Sequence, residues 1–223
     1  RGGKVSFTHL IAWALVESLA EMPEMNVAYT LDEKSKPALH NPAHVNLGLA
    51  IDVPSANGER RLLVPSVKNA DTLDLAGFID AYDALVVKAR KGQLTVDDFK
   101  DTTATLTNPG MIGTLNSVPR LMPGQGLIMG VGAMTYPAAF AGASPETLAR
   151  QAVGKVLTLS NTYDHRVIQG AQSGELLRLM ERKLMGLDGF WNRSFKALRI
   201  PHEPVHWDQD VTYDPLADAG KPA

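Results

Sequence analysis

Apolar side chains recur at helical spacing from the start of the chain. Phe7, Leu10, Ile11, Ala14, Leu15, Leu19 and Met22 share one face, the three- and four-residue rhythm of an amphipathic helix. Ser6 stands where its hydroxyl would cap the first turn, and Pro23 marks the end. Residues 27–31 read as a short strand and 32–36 as a polar turn. Residues 45–53 and 61–67 are rich in aliphatics and flank Pro54-Ser55-Ala56-Asn57-Gly58, so a long hairpin is expected. Residues 72–91 form a second amphipathic helix that stops at Gly92. Thr95-Val96-Asp97-Asp98 carries a capping box with Asp in place of Glu.

The second half changes character. Residues 103–107 alternate β-branched side chains as a strand, which Asn108-Pro109-Gly110 must break. A Gly- and Pro-rich stretch follows to Gly126. Residues 127–133 and 155–163 read as strands, with a small-residue loop at 137–145 between them. Residues 170–185 are helical, a short helix with Phe190, Trp191 and Phe195 follows, and an extended tail runs through Pro201 and Pro204. Helices and strands mix without strict βαβ alternation. The expectation is an α/β protein with a mixed sheet covered by helices on one face. Residues 1–200 form one domain on this reading, and 201–223 a tail or linker.

Composition narrows the function classes. The 223 residues carry a formal net charge of -2, so there is no basic excess to bind nucleic acid. There is no cysteine, which removes disulfides, thiol nucleophiles and Cys-type zinc sites. The longest uncharged apolar run, 127–134, is far shorter than a membrane span. A cytoplasmic protein is the default expectation, with neither membrane nor nucleic acid as partner. The chain begins without Met, just ahead of a helix, and is expected to be an N-terminally truncated piece of something longer.

Six histidines are candidates for chemistry. His9 lies within the first helix. His40 and His44 stand four apart in a Pro-containing loop but lack further ligands at suitable spacing, so no metal site is expected. His202 and His206 flank Pro204. His165 is set apart by its place between a strand and a helix, in Tyr163-Asp164-His165-Arg166-Val167-Ile168-Gln169-Gly170. Such a junction holds an imidazole rigidly enough to act as a general base at neutral pH. It also suits a structural histidine bonded to a backbone carbonyl, and spacing does not separate the two. A base working on an acyl group needs a donor for the oxyanion. Thr107, at the strand end before Asn108, is a candidate, with an ordinary strand-end threonine as the alternative.

Several runs, in order along about three-quarters of the chain, resemble the catalytic domain of the dihydrolipoyl acyltransferases of 2-oxo-acid dehydrogenase complexes. Residues 45–71 resemble that family's N-x-G-x-A-x-D … G-L-x-x-P-V-I run. Residues 105–113 (TLTNPGMIG) resemble F-T-I-[ST]-N-x-G, and 119–133 its Pro-rich segment followed by A-I-L-G-x-G. Residues 157–170 resemble L-x-L-S-x-D-H-R-x-x-D-G. The runs at 117–126, 136–144 and 163–171, with Phe190-Trp191, are similar to an actinobacterial branch. There the domain is fused ahead of a thiamine-dependent 2-oxoglutarate decarboxylase.

The resemblance implies a chloramphenicol-acetyltransferase-like fold, assembled as a homotrimer in which His165 of one subunit faces Thr107 of the next. It assigns His165 as base and Thr107 as oxyanion donor, with Asp164 and Gln169 supporting. The family's Asp falls on Gln169, which loses the charge of its usual structural ion pair with an Arg. The implied reaction moves a succinyl group between CoA and dihydrolipoyl-lysine. The lipoyl group would come from the acyltransferase of a partner chain, alongside dihydrolipoamide dehydrogenase in the same complex. Thiamine diphosphate and Mg would serve only a fused downstream domain. Asn108, Thr114, Ser117 and Arg120 are candidates for substrate contact. A succinyl carboxylate favours a cation such as Arg120, which is equally suited to a surface position or a CoA phosphate. Gln169 also motivates a silent trimeric scaffold as the alternative, and a soluble small-molecule acceptor is a third reading.

Overall fold

The computed structural model describes residues 4–54 and 58–203. The turn at 55–57, His206 and the linker beyond residue 203 lie outside the described residues. Helix α1 (Phe7–Glu21) starts where expected. Its cap is reciprocal: the Ser6 hydroxyl accepts from the His9 N–H at 3.3 Å, and His9 Nδ1 accepts from the Ser6 N–H at 3.2 Å. His9 thus plays the part that Glu usually takes in a capping box.

Strands β1 (Ala28–Leu31) and β2 (Pro37–His40) make a separate two-stranded hairpin around the polar turn at 32–36. The long hairpin expected at 45–67 splits in two. Strands β3 (Leu47–Leu49) and β6 (Ser66–Val67) pair inside the main sheet, whereas β4 (Ile51–Pro54) and β5 (Arg60–Leu63) form a ribbon of their own. The inner pair is buried and the ribbon largely exposed, so one continuous aliphatic pattern serves two sheets.

Helix α2 (Leu75–Arg90) is capped by Asp74, which accepts from the Gly77 N–H at 2.7 Å. Strands β7 (Ala104–Thr107) and β8 (Leu127–Val131) run parallel to each other, and β7 runs parallel to β3. A short helix α3 (Pro145–Arg150), capped by Ser144, begins where the expected small-residue loop ends. Strand β9 (Leu159–Tyr163) is shorter than expected, because Val156 makes only an isolated bridge to Thr135. Helices α4 (Gly170–Leu184) and α5 (Phe190–Ala197) follow.

The main sheet has the order β6-β3-β7-β8-β9, with β9 antiparallel to β8. Leu47, Leu49, Ala104, Leu106, Leu127, Met129 and Val131 project from one face into the core formed with Leu15, Leu19, Phe78, Leu176 and Met180 of the helices. This is the period-2 alternation of a sheet covered by helices on one side. On the other face, Gly48, Thr105, Ile128 and Gly130 lie between those positions. There the Pro-rich segment after Thr107 crosses the sheet: an added Cβ at Gly130 would stand 3.5 Å from the Ser117 carbonyl, and that carbonyl accepts from Ser160 Oγ at 2.7 Å.

Candidate active site

His165 sits in a turn, residues 164–169, between β9 and α4. Three backbone bonds shape it. Asp164 N–H donates to the Gly126 carbonyl at 2.9 Å, and the N–H groups of Val167 and Ile168 both donate to the Asp164 carbonyl at 3.0 Å. Ile168 is fully buried and anchors the rear of the turn, whereas His165 and Arg166 are exposed. The His165 ring lies 5.4 Å from that of Tyr163, tilted by 48°. No backbone carbonyl among the described residues bonds this imidazole, so the junction-histidine alternative is not realised there.

Asp164 does not orient His165. Both its oxygens are taken by Arg166, whose Nε donates at 2.9 and 3.1 Å and Nη2 at 2.6 Å. That hydrogen bonding holds the Asp164 carboxyl below its ordinary value against the opposing effect of burial. Arg166 in turn lies over Tyr29 of β1, with its guanidinium carbon 3.7 Å from the ring centroid.

Gln169 is the N-cap residue of α4, and its N–H donates to Gln172 Oε1 at 2.8 Å. Its observed role is to start the helix. No hydrogen bond joins Gln169 to His165 among the described residues.

Thr107 ends β7, half-buried. The sheet register fixes its relation to His165. Thr107 stands opposite Gly130, and Gly130 opposite Ser160, while Tyr163 pairs with Leu127 at the other end of β8. Three strand steps and two strand spacings put Thr107 and Tyr163 roughly 14 Å apart or more. Thr107 and His165 therefore lie at opposite ends of the sheet and do not meet within one chain.

The remaining candidates divide. Asn108 Nδ2 donates to Thr8 Oγ1 at 2.8 Å, tying the end of β7 to the start of α1. Thr114 and Ser117 are half-buried and face the chain's own sheet through their carbonyls, which accept from Ala133 N–H at 2.8 Å and Ser160 Oγ. Arg120 is exposed on the same segment. Four large apolar side chains there are strongly exposed: Met111 at 80%, Ile112 at 73%, Leu115 at 62% and Val118 at 82%. None of the four belongs to the chain's own core.

At the His165 end of the sheet, a cleft of about 610 Å³ opens beside the starts of β3, β7 and β8, lined by His40, His44, Asn46, Thr103 and Gln125 among others. Gln125 is buried and accepts from Thr105 Oγ1 at 2.5 Å. His44 pairs with Asp71 at 3.0 Å, and no group of three or more His, Asp or Glu able to hold a metal occurs among the described residues. His9 is structural too: Nε2 reaches Asp83 of α2 at 3.2 Å, and the ring meets Tyr82 edge-on at 4.4 Å. Sequence reading missed Tyr29 as the partner of Arg166. An aromatic two residues into a strand carries no signal of a contact so far along the chain.

The family model of the 2-oxoacid dehydrogenases acyltransferase (catalytic domain) matches residues 1–187. The chain is 51% identical over 95% of its length to the 2-oxoglutarate dehydrogenase E1/E2 component of Corynebacterium glutamicum. It is 52% identical over 94% to the multifunctional 2-oxoglutarate metabolism enzyme of Mycolicibacterium vanbaalenii. It spans 17% of the length of each. The crystal structure of a probable dihydrolipoamide acetyltransferase from Listeria monocytogenes shares the fold, with a TM-score of 0.66 at 23% identity over 92% of this chain and 76% of that one. Dihydrolipoamide acetyltransferase of Azotobacter vinelandii gives 0.67 at 26% identity over 85% and 72%. The chain belongs to the acyltransferase catalytic domains of the 2-oxoacid dehydrogenases.

Proposed function

We propose that this domain transfers a succinyl group between CoA and the dihydrolipoyl-lysine of a partner chain, within the 2-oxoglutarate dehydrogenase reaction of the citric acid cycle. The observation that carries the reading is the exposed imidazole of His165, which makes no hydrogen bond among the described residues, in a chain whose relatives, half identical to it, are named for 2-oxoglutarate metabolism. His165 takes the proton of the attacking thiol. The sulfur adds to the thioester carbonyl, and the Thr107 hydroxyl of a neighbouring subunit donates to the oxyanion. Collapse of the tetrahedral intermediate breaks the original C–S bond, and the departing thiolate recovers the proton from His165.

The opposite placement of His165 and Thr107 supports a site shared between copies, as do the exposed apolar side chains on the segment after Thr107. A homotrimer is the assembly proposed. CoA is a substrate, and the lipoyl group arrives on the acyltransferase of a partner chain, with dihydrolipoamide dehydrogenase in the same complex. Thiamine diphosphate and Mg belong to a fused decarboxylase outside this sequence. The cytoplasm is the proposed location. Asp164 and Gln169 support the site through the turn and the helix start. Asn108 follows Thr107, Thr114, Ser117 and Arg120 lie on the segment after it, and Arg120 is the cation proposed for the distal carboxylate.

The test is transfer from succinyl-CoA to dihydrolipoamide. Thr107→Ala should slow it roughly 10²–10³-fold, and His165→Ala by roughly 10²–10⁴-fold. Equal rates in wild type and His165→Ala, both at the uncatalysed level, would instead favour a silent scaffold. Activity on small alcohols or amines, with none on dihydrolipoamide, would move the acceptor to a soluble molecule. Arg120→Ala should narrow the preference for succinyl over acetyl.

A further inference from the structure

We propose that Tyr29 is a positioning residue for the proposed acyl transfer, holding the His165 turn in place by stacking under Arg166. The proposal rests on His165 as the base. The turn at 164–169 is tied to the body of the protein at its rear, through buried Ile168 and the bond from Asp164 N–H to Gly126. Its outer side carries His165 and Arg166, both exposed. The ion pair of Arg166 with Asp164 joins two residues of the same turn, so it stiffens the turn without attaching it to anything else. Among the described residues the outer side is held by the ring contact of His165 with Tyr163 of β9 and by the stack of Arg166 on Tyr29, at 3.7 Å to the ring centroid, which alone reaches the hairpin.

Tyr29 is well placed for this. It is half-buried on the β1–β2 hairpin, paired with Leu39 across the ribbon. The hairpin is itself pressed against the same region, since an added Cβ at Gly126 would stand 1.9 Å from the Val27 carbonyl and 3.3 Å from Ile168 Cδ1. A guanidinium held from both sides, by a carboxylate fork in its plane and an aromatic face beneath it, has few alternative rotamers. The imidazole one residue earlier inherits that restriction. It also inherits a neighbour whose negative charge is already satisfied, because both Asp164 oxygens are bonded to Arg166.

The experiment uses Tyr29→Leu, Tyr29→Phe, Arg166→Met and His165→Ala in the full-length protein. Transfer kinetics are read beside hydrogen–deuterium exchange of the peptide covering residues 163–170. Tyr29→Leu should lower kcat roughly two- to fivefold with KM for the CoA thioester unchanged, and speed exchange at Val167 and Ile168 by a similar factor. Tyr29→Phe keeps the aromatic face and should restore both. Arg166→Met leaves the hairpin intact and should lower kcat roughly tenfold or more. Wild-type exchange in Tyr29→Leu overturns the proposal, as does a Tyr29→Phe protein that falls as far as Tyr29→Leu. If His165→Ala transfers as fast as wild type, the reading of His165 as base fails. The exchange data then still decide whether Tyr29 holds the turn.

Discussion

Lys183 is 1% exposed, and its ammonium meets Glu21 at 2.5 Å, Asp188 at 3.3 Å and Glu17 at 3.4 Å. Burial alone would push it to lose its proton. The three carboxylates overcome that and raise it above its ordinary 10.5. The same contact lowers Asp188 below 3.8, against the opposing effect of its own burial. The signs fix the pH window. A raised lysine contributes stability that is complete below about 10.5 and fades as pH rises through its folded-state value. Asp188 contributes above about 3.8 and fades as pH falls. Lys183→Met keeps the volume but leaves Glu17 and Asp188 to Arg193 and takes the cation from Glu21, and should lose roughly 1–3 kcal/mol near neutrality. In thermal melts across pH, the gap between wild type and Lys183→Met should close above about pH 10.5; a constant gap would contradict the assignment. None of this is readable from the sequence. Glu17 and Lys183 are ordinary charged positions on two helices, and only packing α1 on α4 brings them together. His165 was legible for the opposite reason: its neighbours along the chain, not across the fold, announce it.

Elements meet here through positions where no side chain fits. Gly126 is one: a Cβ there would lie 1.9 Å from the Val27 carbonyl, which is backbone and has nowhere to go. Gly126→Ala should therefore force β1 away from β8. The expected loss is roughly 1–3 kcal/mol, a fall in Tm of roughly 2–12 °C, read by calorimetry. A melting point equal to wild type would mean that the hairpin moves freely. Glycine at 126 is visible in the sequence, but its reason is not, since it belongs to a contact between residues a hundred positions apart. Other elements were missed for local reasons. Strand β2 is too short and too exposed to show alternation. Helix α3 had a signal that the surrounding small residues masked: Ser144-Pro145-Glu146, where the Ser144 hydroxyl accepts from Thr147 N–H at 3.2 Å and Pro takes the first helical position.

At the scale of the whole molecule, strand direction separates the two residues of the proposed site. Parallel β7 and β8 place Thr107 at one end of the sheet, and the reversal into β9 returns His165 to the other. If these two groups act together as proposed, two copies are needed for one site, and mixing tests this directly. A chain with His165→Ala keeps its threonine, and a chain with Thr107→Ala keeps its histidine. Co-assembled in equal amounts, inactive variants should recover about one quarter of wild-type activity, the share of interfaces that unite both intact groups. No recovery in verified mixed oligomers would place the site within one chain. Sequence reading reached this pairing only through resemblance, because register and strand direction are properties of the assembled sheet.

The segment crossing the sheet after Thr107 has a consequence of another kind. It is fastened by main-chain atoms, with Gly110 against Gly132, Gly132 against the Leu115 carbonyl, and Gly130 near that of Ser117. Its large side chains at 111, 112, 115 and 118 point away from the fold. The fold's demands on this segment therefore fall on the glycines and not on the exposed residues between them. Over evolutionary time such a segment is free to change the side chains it presents outward without renegotiating how the domain folds.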